Sequence, residues 1–285
     1  MRRTQAFQTG SRNSRPVTSA GSVTEPIIGF SHVTKTFGTG YTALRDVDLV
    51  ICPHRFVALV GPSGCGKSTS LALIAGLDVP TAGTVTVRGK PVTGISDGVG
   101  FLFQRDALLP WKTVRENVGL PLLLRGIRGA EAADRTADFI SRVGLRGFEA
   151  RYPHELSGGM RKRVALAQTL VYDPEILLMD EPFSALDVQT RNLMEDELLA
   201  LWQGSGKTVI FVTHDLEEAI ALADEVVVMT AGPARVKATY EVDLPRPRNV
   251  QEVRFDRRFA DLNTAMWNDL RDEVLESYER SRQAP

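Results

Sequence analysis

Gly61, Pro62, Ser63, Gly64, Cys65, Gly66, Lys67, Ser68 and Thr69 follow directly on the apolar run Phe-Val-Ala-Leu-Val at residues 56–60. A buried strand, a glycine-rich bend and a helix opening at Lys67 make the setting in which G-x-x-x-x-G-K-[ST] grips phosphate. Backbone N–H groups of Gly64, Cys65 and Gly66 converge on one point, with the positive end of the helix dipole behind them. Lys67 reaches β- and γ-phosphate oxygens as a point charge, and the Ser68 hydroxyl suits Mg²⁺. The apolar residues 71–75 give that helix a side to bury.

A second reactive pair closes the run Ile-Leu-Leu-Met at residues 176–179, where Asp180 and Glu181 are adjacent. Alternation along a strand sends them in different directions. Asp180 can then face Mg²⁺ through water, while Glu181 faces the γ-phosphate and polarises an attacking water. Ser157, Gly158, Gly159 and Met160, after Leu156, form another glycine-rich turn that opens a helix, hence a second anion site for one nucleotide. A phosphate loop alone is shared by kinases, GTPases, helicases and transport motors, so it names a ligand and leaves the function open.

These groups need strand ends that meet. Short continuous apolar runs at residues 57–60, 99–103, 176–179, 209–212 and 226–229 read as strands covered on both faces, with helical stretches between them. The class is therefore α/β, a mainly parallel sheet flanked by helices. Residues 27–30, 33–37 and 44–51 instead alternate polar and apolar, an N-terminal antiparallel β subdomain with Gly38 and Gly40 at a turn. Helical patterns at 113–125, 130–143 and 158–171 form an inserted helical subdomain over about 105–171. Residues 236–242 read as an edge hairpin, ended by Pro245 and Pro247. Phe255, Phe259, Leu262, Met266, Leu270 and Val274 recur as one face of a helix that packs on its own domain. The division is a disordered tail at 1–26, the main domain at 27–244, and a linker with an amphipathic helix at 245–285.

The 285 residues carry 34 basic and 35 acidic side chains, a formal charge of -1, which is no field for nucleic acid. No apolar stretch reaches the ~18–20 residues that cross a bilayer. The arginines at positions 2, 3, 12 and 15 precede no hydrophobic segment, so an export signal is not expected. Cys52 and Cys65 give no disulfide framework and suit a reducing cytosol. Cys65, a thiol at a helix N-terminus, is expected to have a lowered pKa and to be reactive; Cys52 is expected on a strand as inert packing.

As a set, the phosphate loop, the Asp180–Glu181 strand end and the Leu-Ser-Gly-Gly-Met turn at 156–160 resemble the ATP-binding subunit of an ABC transporter, over about residues 27–242. The resemblance implies a head-to-tail homodimer with two ATP molecules between subunits. Each signature turn, Ser157 with Gly158, Gly159 and Met160, then grips the γ-phosphate of ATP bound to the other copy. Gln104 resembles the Q-loop glutamine that ligates Mg²⁺ and senses the membrane partner. Asp187, ending Ser-Ala-Leu-Asp at 184–187, resembles the D-loop that crosses the dimer interface. His214 resembles the switch histidine on the γ-phosphate. Phe37 stands where the family places an aromatic on adenine, with Tyr41 a nearby competitor. The implied catalytic set is Glu181, His214, Lys67 and Gln104, and the metal set is Ser68, Gln104 and Asp180. The signature usually ends in glutamine; Met160 departs from that, which is tolerable if the backbone and Ser157 do the gripping.

Leu-Leu-Pro-Trp at 108–111, Glu-Pro-Phe-Ser-Ala-Leu-Asp at 181–187 and Val-Asp-Leu-Pro-Arg-Pro-Arg at 242–248 look most like the nitrate/sulfonate/taurine importer subfamily. That implies a separate integral membrane permease docking near Trp111, a solute-binding protein behind it, and a peripheral place on the cytoplasmic face of the membrane. The competing class is a soluble ABC protein of translation or DNA repair, or an exporter motor. Translation-type members usually carry two cassettes in one chain, and repair-type members a long coiled coil before the signature; neither is seen here.

Overall fold

The alternating N-terminal residues pair as β1 (Ile28–Thr36) and β2 (Thr42–Ile51) in the computed structural model, which describes residues 25–38 and 40–283. Of the tail expected over 1–26, residues 1–24 lie outside the described residues. Ile28 opposes Ile51 and Phe30 opposes Leu49, so one face of the ribbon is apolar. β3 (Phe56–Val60) leads through the phosphate loop into α1 (Lys67–Ala75). Next come β4 (Ala82–Val87) and β5 (Lys90–Pro91), which complete a four-stranded sheet ordered β2-β1-β4-β5. All its pairings are antiparallel.

After β6 (Val99–Leu102) the chain runs through α2 (Val114–Leu124), α3 (Gly129–Arg142) and α4 (Gly158–Leu170). Thr113 caps α2 in a reciprocal capping box with Glu116, which stops the helix one residue short of where its pattern begins. Val114, Val118, Leu122, Ile140, Val164 and Ala167 form a core of their own between these helices. β7 (Ile176–Asp180), α5 (Val188–Trp202), β8 (Thr208–Thr213), α6 (Leu216–Leu222), β9 (Glu225–Met229) and β10 (Val236–Glu241) follow. The second sheet has six strands ordered β10-β9-β3-β8-β7-β6, parallel except for the β9–β10 edge.

Alternation explains why those strands are apolar throughout. Phe56, Ala58, Val60, Leu177, Met179, Val209 and Phe211 enter a core shared with α4, α5 and α6. Val57, Leu59, Ile176, Leu178, Ile210 and Val212 face α1 and the antiparallel sheet. The chain ends in α7 (Val250–Val253) and α8 (Arg257–Gln283).

Two expectations are corrected here. Phe255 precedes α8 and is 90% exposed, so the packed stripe is Phe259, Leu262, Met266 and Leu270, while Val274 stays open. Cys52 is not strand packing: it lies just past β2 and is exposed, because the chain turns away from the sheet at Ile51.

Candidate functional site

Four parallel strands deliver the chemistry to one edge, at their C-terminal ends, where open α/β sheets place ligands. β3 brings the phosphate loop, β6 is followed by Gln104, β7 ends in Asp180, and β8 is followed by His214. A cavity of about 460 Å³ opens there, lined by Tyr41, Ala43, Ser63, Gly64, Gly66, Lys67, Ser68, Thr69, Gln104 and Glu181. A groove of about 510 Å³ along residues 87–97 is larger, but none of these groups reaches it.

The loop is tight. Gly66 has φ +111°, and a Cβ there would come within 2.8 Å of Leu44 and 2.9 Å of the Ala43 carbonyl. Gly64, at φ +74°, also needs the left-handed region that glycine enters without cost. Lys67 is buried, and its Nζ donates to the carbonyls of Gly61 (2.8 Å) and Pro62 (2.9 Å). The Cys65 N–H donates to the Pro62 carbonyl at 3.3 Å. Ser68 Oγ donates to Asp180 Oδ1 at 2.8 Å. Burial raises the Asp180 carboxyl above its ordinary value, against that hydrogen bond and with help from the Glu181 charge.

Glu181 departs from the strand logic. β7 stops at Asp180, and Glu181 takes a left-handed φ of 42°. Its N–H donates to the Val212 carbonyl and its carbonyl accepts from Ser184, so the neighbours hold a conformation that costs of order 1–3 kcal/mol. The two carboxylates thus diverge by a turn rather than by strand alternation. Glu181 Oε2 accepts from Gln104 Nε2 at 3.4 Å and lies 3.2 Å from His214 Nδ1.

Other expected site residues lie apart from this cavity. Ser157 is exposed and caps α4, its Oγ accepting from the Met160 N–H at 3.3 Å. Gly158 and Gly159 open that helix, and Met160 packs its thioether on the helical core, which is why an apolar residue fits there. The Asp187 carboxylate caps α5, and the hydrogen bonds from Thr190 hold it below the usual carboxylate range. Phe37 stacks on Tyr41 at 6.4 Å and carries Lys35 over its ring, while Tyr41 lines the cavity and donates its hydroxyl to the Gly64 carbonyl at 2.8 Å.

The activated thiol is not found. Cys65 is 1% exposed, and burial, the largest influence, pushes its pKa up against the charge of Lys67. The helix N-terminus is present, but the Sγ faces the inner core rather than the cavity. The patterns above also passed over Lys162, which is buried in α4 and donates to the Gln104 carbonyl at 2.6 Å. A lysine on the buried side of a helix is the signal that could have found it.

The family described as ABC transporter matches residues 44–184. An uncharacterized ABC transporter ATP-binding protein of Methanocaldococcus jannaschii is 49% identical over 86% of this chain and 92% of its own length. The chain belongs to the ABC transporter family. Import ATP-binding proteins for nitrate in Synechocystis and for taurine in Yersinia pestis are 45% and 46% identical, over 71% and 69% of this chain and 76% and 77% of theirs. A dimeric ATP-binding cassette bound to ADP and Pi superposes with a TM-score of 0.68 at 34% identity, covering 76% of this chain and all of the other. This ABC protein is accordingly an ATP-binding ATPase coupled to transport, with the P-loop α/β fold. Among the described residues no helix is long and apolar enough to cross a membrane.

Proposed function

We propose that this ABC ATPase is the hydrolysing subunit of an importer: two copies close head to tail around two Mg-ATP and drive a separate membrane permease. The carrying observation is a division of groups. The loop, Glu181 and Gln104 line one cavity and His214 reaches it through Glu181 at 3.2 Å, while the Ser157 turn, a second helix start, is exposed and lines none of it. A second copy that brings its Ser157 turn over the loop completes each site, and the dimeric relative with ADP and Pi supports that arrangement.

Ser68, Gln104 and Asp180 offer a hydroxyl, an amide oxygen and a carboxylate, the hard oxygen ligands that Mg²⁺ takes, and Ser68 and Asp180 already touch. When bound, Mg²⁺ neutralises charge on the β- and γ-phosphates. Lys67 exchanges its two carbonyl acceptors for phosphate oxygens, and the Gly64 and Gly66 amides hold the phosphates in line. Glu181, gripped between Gln104 and His214, orients the attacking water, and His214, 3.2 Å from Glu181, reports the γ-phosphate. Positioning and charge neutralisation are what phosphoryl transfer needs.

The solute is a small anion such as nitrate, a sulfonate or taurine, supported by the importers of nitrate and taurine among the relatives. The protein sits peripherally on the cytoplasmic face of the membrane, with the permease and, through it, a solute-binding protein as partners. Trp111, 69% exposed in the segment between β6 and α2, offers the permease an aromatic contact.

Glu181→Gln tests the sandwich. The variant should bind ATP, lose at least ~10²-fold in turnover and elute as a long-lived dimer with Mg-ATP. Finding monomer alone at saturating nucleotide would sink the composite site. Capture of that dimer from membranes should bring down a permease, and its absence would remove the importer.

A further inference from the structure

Lys162 is 4% exposed, on a helix whose neighbouring Arg161 and Arg163 remain partly open to water. An ammonium leaves water at a high cost unless it is paired and hydrogen-bonded. Its Nζ donates to the Gln104 carbonyl at 2.6 Å and to the Phe103 carbonyl at 3.4 Å, and it lies 3.0 Å from Asp106 Oδ1. These acceptors need a donor, because β6 ends at Leu102 and the carbonyls beyond it have left the sheet ladder. Arg161 takes the other oxygen of the same carboxylate, Nε to Oδ2 at 3.3 Å, and donates to the Leu156 carbonyl at 2.7 Å. Two consecutive cations of α4 therefore hold residues 103–106 beside the Ser157 turn.

The other end of Gln104 works in the cavity, where its amide donates to Glu181 Oε2. We propose that Lys162 is a positioning residue: by holding the Gln104 carbonyl it sets that side chain against Glu181 and the metal position, and it makes Gln104 and the Ser157 turn move as one piece. This rests on Gln104 being a working residue of the ATP site. When a partner copy pulls on Ser157, the pull reaches Gln104 through one buried side chain rather than through the loop at 105–113. Apolar packing at position 162 would leave α4 formed but Gln104 free to swing.

The test is a double-mutant cycle on the purified full chain with Lys162→Met, Gln104→Ala and both, read as ATPase rate, Mg²⁺ dependence and fluorescent-nucleotide binding. Lys162→Met should lower kcat about tenfold, the scale of one lost charged hydrogen bond, with nucleotide affinity within about twofold. It should also raise the Mg²⁺ concentration for half-maximal rate severalfold. In the Gln104→Ala background the same substitution should add less than about twofold, because the group it positions is gone. A merely structural lysine would not show that dependence. If Lys162→Met does not fold, Lys162→Gln is read in the same way, with thermal melts as the check on folding. An unchanged rate, or a tenfold loss that persists without Gln104, overturns the inference while Gln104 keeps its role. Full rate and unaltered Mg²⁺ dependence in Gln104→Ala alone would remove that role, and the proposal with it.

Discussion

Cys65 shows how little a residue's address says about its chemistry. The phosphate loop supplies the helix N-terminus that activates a thiol, yet the side chain points inward and burial raises its pKa. Cys52, by contrast, is exposed. A maleimide near neutral pH should therefore label Cys52 and leave Cys65 until the protein is denatured, with ATPase activity retained after one equivalent. Peptide mapping reads the outcome; rapid labelling of Cys65 in the folded protein would contradict its burial. Glu181 teaches the same lesson through the backbone. Two adjacent acids at a strand end were legible as a pair, but their divergence depends on a left-handed residue that Val212 and Ser184 hold in place.

At the scale of elements, α5 and α6 pack two buried carboxyls behind His214. Burial pushes Glu218 up to about 8, with its hydrogen bond from Thr213 opposing and the charges of Glu195 and Asp215 adding. Burial likewise raises Glu195 to about 7, against Arg254 and Arg191 and with Asp215 and Asp196 adding. Both folded values exceed the ordinary 4.5, so the folded state keeps protons that the unfolded chain releases, and stability falls as pH rises from 4.5 through about 8. Denaturant midpoints should drop between mildly acidic and mildly alkaline pH, and Glu218→Gln should flatten that slope. A midpoint that rises over the same interval would show both groups ionised in the fold. The segment after β10 has a structural task that its prolines did not disclose. Arg248 is 7% exposed and donates to the carbonyls of Ile220, Ala221 and Ala223 at the end of α6 and to those of Val242 and Leu244. Arg248→Met leaves these acceptors without their donor and should cost about 3 kcal/mol, measured by chemical unfolding.

For the whole molecule, the helical subdomain has its own core and meets the sheet domain through the segment after β6 and through α4. Gln104, Lys162 and the Ser157 turn all lie along that junction, as the proposed coupling of nucleotide state to a permease requires. Trp111 extends from the same region into solvent. Trp111→Ala should leave the ATPase rate of the purified chain within about twofold, as exposed substitutions usually do, yet sharply reduce co-purification with the proposed permease. An unchanged permease yield would assign the contact to other residues.

The amino-acid order by itself determined the phosphate loop, the buried parallel strands and the helical insertion, because each is written in neighbouring residues whose spacing matches a backbone period or a ligand's size, and its motifs carried the family resemblance. It placed the candidate site residues at strand ends and left Phe37 and Tyr41 as alternatives for the adenine contact. Tertiary structure decided what depends on partners far away in the chain. Lys162 meets Gln104 across 58 residues, Ser68 meets Asp180 across 112, and Cys65 is silenced by a core assembled from several strands. Burial and pairing follow from packing, which no local spacing encodes, and they set whether a group at the right address is charged, reactive or held still.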